Sequence, residues 1–259
     1  MPELTLRRLD DYQSWQILFS GTCILIDPWL TPEPITGSFD RQHTAGFTTL
    51  ADIHADGCQI AAVLLCTSVN DHARPKTLQL LANTSVYGPA KAAAVARKAG
   101  CASTHAITPG ATFTFACRDG GDLRVTVTRT GLPLGIIAVG YIIEGINPDG
   151  SSAGRIWIEP HQPTPRVAKS IAPIDIAVLP CQSVTAVVMP VNAGTKVVAR
   201  AARLARARTI VATATDPRRD MSRWQRLLYP VRGGAVDVRA ALAGASTVVE
   251  MAPRAELHA

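Results

Sequence analysis

The stretch AVLLCTSVNDHARPKTL, residues 62–78, decides the fold. The apolar run 60–66 is rich in aliphatic residues and predicts a buried strand. It gives way to a polar turn in which Asp71 and His72 stand side by side, and Pro75 then opens a helix. Proline suits that position because its fixed φ and missing N–H cost nothing in a first helical turn. The pattern therefore sets an acid and an imidazole at a strand end, ahead of a helix.

Working toward the N-terminus, residues 15–18 and 23–26 read as strands separated by the turn signal Ser20-Gly21. Asp27-Pro28 then ends the second strand, within the string ILIDPWL at 24–30. Asp27 reads from the residues alone as a strand-end acid capping backbone amides. Residues 31–58 carry Pro, Gly, Thr and His without a sustained period. They read as a long surface insertion near the mouth of a site, with His43 and His54 as solvated loop histidines.

Toward the C-terminus, the pattern predicts a helix over 75–81, a strand over 85–87 and a helix over 89–98 closed by Gly100. Strands follow over 112–117, 123–129, 136–144 and 155–159, divided by Gly and Asp breaks. A strand over 174–179, a helix over 194–207, a strand over 209–214, helices over 222–228 and 235–242, and a strand over 246–251 complete the series. Residues 253–259 read as a frayed tail. No repeat or linker divides the chain, so residues 1–259 are expected to form one domain.

A length of 259 residues with 47% hydrophobic content is ample for a sizeable core. Charged residues make up 18%, which argues against extended disorder. The six cysteines show no C-x-x-C pair or repeated spacing, so reduced thiols in a cytoplasm are expected. No apolar run approaches the length of a membrane span, so no membrane partner is expected. The net charge of +6 permits an acidic ligand. Lys196, Arg200 and Arg203 line one face of the 194–207 helix at i, i+4 and i+7, with Arg206 close by and Val197, Val198, Ala201 and Leu204 on its buried side, and Arg218, Arg219, Arg223 and Arg226 follow. Nothing aromatic interleaves with the cations of the 194–207 helix, so a solvated face is weighed above nucleic acid.

The strand, the Asp-His pair and the proline-started helix resemble the metallo-β-lactamase superfamily, whose loop at this place reads H-x-H-x-D-H. IDPWL, GPAKAAAVARKAG, TPG, GYIIE, WIEPH and DIAVLPCQS are similar, in the same order, to a divergent lactonase-like branch of it. The resemblance implies a four-layered αββα sandwich and, for Asp27, a second reading as the acid that supports the metal loop from beneath. In that pattern the two leading histidines fall on Thr67 and Val69, while Asp71 and His72 are kept. Valine has no lone pair and a threonine hydroxyl is a poor replacement for imidazole, so one of two metal positions would lose most of its ligands. His161, at the end of the WIEPH strand, is where the resemblance implies a histidine completing the other position.

Asp71, His72 and His161 together make a two-histidine, one-carboxylate set suited to one zinc, manganese or iron ion. The expected function is hydrolysis of a small ester, lactone or phosphorylated substrate by metal-activated water, with Asp71 also as the catalytic residue. The alternative is a non-catalytic protein of the same fold that binds a ligand or partner without metal, with Asp71 capping the following helix and His72 packed neutral below it. Cys66, Cys181, Asp175 and Asp216 are weaker ligand candidates. The third-motif histidine is missing from Thr130-Gly131-Leu132-Pro133. A small-molecule ligand is expected under either reading, and oligomeric state stays open.

Overall fold

Short-period alternation at the N-terminus builds an antiparallel meander of β1 (Thr5–Arg8), β2 (Trp15–Phe19) and β3 (Thr22–Ile26). Ser20 and Gly21, both at positive φ, form the two-residue connection whose twist suits a hairpin. The computed structural model describes residues 2–36, 40–215 and 221–259. Asp216, Arg218 and Arg219, singled out from the sequence, lie outside the described residues.

Within the insertion, α1 (Leu50–Ala55) is started by a capping box between Thr49 and Asp52, so that segment is not wholly irregular. The chain then alternates β4 (Gln59–Leu64), α2 (Pro75–Leu80), β5 (Val86–Gly88), α3 (Ala90–Lys98) and β6 (Thr104–Ala106), with β3, β4, β5 and β6 parallel. An antiparallel run follows: β7 (Thr112–Ala116), β8 (Asp122–Arg129), β9 (Val139–Ile146) and β10 (Ser152–Ile158). The last part comprises α4 (Pro165–Ile171), β11 (Ile176–Pro180), β12 (Ser183–Ala186), β13 (Met189–Asn192), α5 (Thr195–Ala205), β14 (Thr209–Thr213), α6 (Arg223–Leu228), β15 (Val231–Arg232), α7 (Ala235–Leu242), β16 (Thr247–Val249) and β17 (Glu256–His258).

Two seven-stranded sheets result, in the orders β17-β1-β2-β3-β4-β5-β6 and β16-β14-β11-β10-β9-β8-β7, beside a three-stranded sheet β13-β12-β15. Leu6, Ile17, Ile24, Val125, Tyr141 and Ile156, all fully buried, fill the space between the large sheets. Because side chains alternate along a strand, β3 and β4 send Ile24 and Leu64 inward and Leu25 and Val63 outward against Leu78, Ala92 and Ala96 of α2 and α3. The second sheet is covered likewise by α4, α5 and α7 through Ala168, Val198 and Val238. Helix, sheet, sheet and helix layers make the expected αββα sandwich. Each aliphatic side chain buried this way contributes about 1.5–3 kcal/mol relative to exposure.

Several expectations are corrected. Residues 253–259 are not frayed: β17 pairs antiparallel with β1, Leu6 opposite Leu257, and Glu256 forms an ion pair with Arg7. Leu257 packs on the inter-sheet core, which a three-residue strand pattern is too short to announce. The start of the predicted strand 136–144 is instead a 3-10 turn, Leu134–Ile136. Cys23 and Cys58 are joined in a disulfide, contrary to the expectation of reduced thiols, with Cα atoms 6.2 Å apart. The parallel register of Thr22 opposite Gln59 makes these cysteines neighbours, a relation their sequence spacing hides. Cys66, Cys101, Cys117 and Cys181 are buried free thiols. On α5, Val197 is 42% exposed rather than on the packed side. No helix among the described residues is long and apolar enough to cross a membrane.

Candidate metal centre

Asp71 and His72 lie beyond the C-terminal end of β4, in a turn closed by His72 and Ala73 N–H groups donating to the Val69 carbonyl. Asp27, at the end of β3, adopts φ +45°, a left-handed conformation that aspartate tolerates better than most residues. This aims its carboxylate across to the neighbouring strand. Oδ1 accepts the Cys66 N–H at 2.8 Å and Oδ2 accepts from His72 Nδ1 at 2.7 Å. Both readings of Asp27 therefore hold at once. With Nδ1–H given to Asp27, Nε2 is the His72 nitrogen that would offer a lone pair to an ion once deprotonated. That nitrogen is 3.7 Å from Asp71 Oδ2.

Asp71 is fixed from the β1–β2 connection, where the buried Gln13 amide donates to its carbonyl oxygen at 2.8 Å and to Oδ2 at 3.1 Å. It does not cap α2, whose N-cap is Arg74 with no side-chain cap. His161 comes from the other sheet, just after β10. Glu159, fully buried, accepts the N–H groups of His161 and Gln162 at 3.1 and 3.2 Å and the Thr130 hydroxyl. This clamp brings the His161 ring to a centroid distance of 4.8 Å from His72.

Asp71, His72 and His161 thus converge, and all three are buried. They line one cavity of about 220 Å³ with Thr67 and Val69, the positions where the resembled loop has its leading histidines. The opposite walls are apolar, built from Leu134 and Ile137 of the 3-10 turn region and from Val184, Met189 and Val191 of the β12–β13 hairpin. The insertion 31–58 supplies no wall among its described residues. It packs elsewhere, with His43 stacked between Trp29 and Phe47 at 3.7 and 4.1 Å and so not solvated, while His54 is exposed. Asp175 accepts the Arg155 N–H at the opposite, N-terminal end of β11, a backbone role and not a ligand role.

Burial would push the His72 imidazole down, but Asp27 and Asp71 outweigh it and hold the ring up at about 9. His72 is accordingly not neutral in the ion-free centre. His161 goes the other way, pushed well below 6.5 by burial and by the charge of His72. Its Nδ1 is buried and without a hydrogen-bond partner. A neutral imidazole with an orphaned buried nitrogen, beside a carboxylate and a second imidazole whose Nε2 would give up its proton to a metal, fits a divalent ion. Ligands about 2.0–2.2 Å from one tetrahedral zinc stand about 3.3–3.6 Å apart, close to the spacing of Asp71 and His72. Among the described residues, the group whose donor atoms all lie within 4.8 Å of one another is Asp27, Cys66 and His72, and His161 stands outside that spacing. That group fits less well, because both Asp27 oxygens are already used and burial pushes the Cys66 thiol well up.

No family model matches the sequence, and no curated protein does. Solved structures do: YhfI from Bacillus subtilis, a metallo-β-lactamase fold protein, superposes with TM-score 0.63 at 12% identity over 98% of this chain and 99% of its own. The chain has the metallo-β-lactamase fold. An isothiocyanate hydrolase from Delia radicum gut bacteria shares this fold with TM-score 0.65 at 17% identity, covering 98% of both chains. CmlA, a diiron β-hydroxylase from Streptomyces venezuelae, does so with TM-score 0.67 at 15% identity over all of this chain. This chain spans 55% of the CmlA length.

Gln13, Thr130 and Glu159 were not found by reading the sequence. Glu159 was within reach, since it lies in the WIEPH string that marked His161. Gln13 carries no local signal, because only the fold sets it against Asp71.

Proposed function

We propose that Asp71, His72 and His161 hold one divalent zinc, manganese or iron ion, and that the protein hydrolyses a small, largely apolar ester or lactone. The reading is carried by one observation. Two histidines from different sheets stack at 4.8 Å beside a carboxylate, on the floor of an apolar cavity. A bound ion of this kind acidifies water and polarises a carbonyl oxygen.

The rest falls to side chains of the chain itself. Asp27 fixes the His72 tautomer, Gln13 and Glu159 hold Asp71 and His161 in place, and the apolar walls exclude bulk water. Asp71 is the carboxylate among the described lining residues, and so the group placed to take a proton during turnover. No Lys or Arg occurs among those lining residues, which favours an uncharged ester or lactone over a phosphorylated substrate. Thr67 and Val69 in the same wall support one ion rather than two.

Protein purified without chelator should carry near-stoichiometric zinc, manganese or iron by elemental analysis, and His161→Ala should lose it. The competing reading, a metal-free ligand pocket, is favoured by the Asp27–His72 hydrogen bond, which needs no ion. It would be supported by an ion-free protein that still binds small apolar esters.

A further inference from the structure

The mouth of the cavity is bordered by side chains that a soluble surface rarely exposes together. Val188 at the β12–β13 turn is 86% exposed, Ile136 beside the opposite wall 82%, and Trp224 and Leu227 on α6 are 75% and 70% exposed. Val188, Trp224 and Leu227 belong to one platform. The Val187 N–H donates to the Leu228 carbonyl at 2.8 Å, tying the hairpin to the end of α6, and β15 pairs with β12. Val184 and Met189 of this hairpin, and Tyr229 after α6, line the cavity itself. Exposed apolar side chains therefore flank residues that line the cavity.

Over 183–192 and 221–234 the charged side chains are all arginine. Arg223, Arg226 and Arg232 are exposed. A tryptophan and aliphatic side chains ringed by arginine match the headgroup region of an anionic bilayer, where apolar groups insert shallowly and cations meet lipid charge. A symmetric pairing of two copies through this face would set arginine against arginine. The absence of a long apolar run bears on spanning a membrane and leaves this mode untouched.

We propose that the cavity mouth docks on the surface of an anionic lipid bilayer, so that apolar molecules reach the site from the membrane side. The docking stands independently of metal binding. Trp15, Trp29 and Trp157 are at most 1% exposed, which leaves Trp224 as the tryptophan that a soluble quencher reaches.

The test is acrylamide quenching of the full chain, with vesicles of phosphatidylcholine alone and with added phosphatidylglycerol. Anionic vesicles should shift the emission to the blue and protect it from quencher, and Trp224→Phe should remove both responses. Arg223→Gln with Arg226→Gln should weaken partitioning into sedimented vesicles by about tenfold or more. Val188→Asp with Leu227→Asp should abolish partitioning while circular dichroism stays unchanged. Unaltered quenching on anionic vesicles overturns the proposal, as does equal binding to neutral ones. Protection that grows with protein concentration in the absence of lipid would assign the face to a second copy instead.

Discussion

Asp27 carries two buried hydrogen bonds on which the centre depends, one to the strand that leads into the turn and one to His72. Asp27→Asn keeps the shape but sets an amide N–H₂ or a carbonyl where two donors already point, so one of them loses its partner. An unsatisfied buried donor costs about 1–3 kcal/mol, and loss of the carboxylate behind a ligating histidine weakens metal affinity by about 10–100-fold. Urea denaturation and metal titration of the variant measure the two effects. The imidazoles also set a pH profile for the ion-free protein. His72 is raised from 6.5 to about 9, so its stabilisation is complete below pH 6.5 and is lost as pH rises toward 9. His161 is depressed below 6.5, so its contribution holds above 6.5 and is lost as pH falls. The two imidazoles together therefore contribute most to the stability of chelator-treated protein near pH 6.5. The alkaline loss should be on the order of 3 kcal/mol and should flatten in His72→Gln.

At the scale of elements, β9 and β10 must approach closely for the Glu159 clamp to form, and Gly140 permits it. A Cβ there would lie 2.7 Å from the Ile158 carbonyl oxygen, 2.7 Å from the Thr128 hydroxyl and 3.1 Å from Glu159 Oε2. Gly140→Ala should cost about 1–3 kcal/mol in melting experiments and lower metal retention with every ligand intact. A variant that melts early yet keeps full metal content would show that the clamp does not govern His161. Much of this architecture was readable because the responsible signals are local. Alternation in β3 and β4, the Asp71-His72 pair and the helix opened at Pro75 each sit within one short window. The β12–β13 hairpin was not readable, because strands of four residues and a turn of Val187-Val188 give neither a period nor a turn residue. α4 was missed although Thr164 caps it and Pro165 starts it, both of which are legible signals. The Gln13–Asp71 contact and the Cys23–Cys58 bridge depend on strand register, which no window of sequence contains.

On the scale of the whole molecule, the ligand set joins two halves. Asp71 and His72 hang from the sheet that contains β4, whereas His161 hangs from the one that contains β10, and their rings meet at the rim of the inter-sheet core. An ion held by all three would act as a clasp between the sheets and would stabilise the fold by mass action. At a free concentration a thousand times Kd that stabilisation is about 4 kcal/mol. For a chain of this length it corresponds to a melting temperature higher by on the order of 10 °C. Chelation should remove that increment from the parent protein and leave His72→Ala and His161→Ala unmoved. Hydrogen exchange then separates a clasp from a local site: chelation should speed amide exchange both at 66–74 and at 159–162, because each side loses its hold on the other. Faster exchange at 66–74 alone would mean that the ion never reached across, and that His161 only stacks on His72.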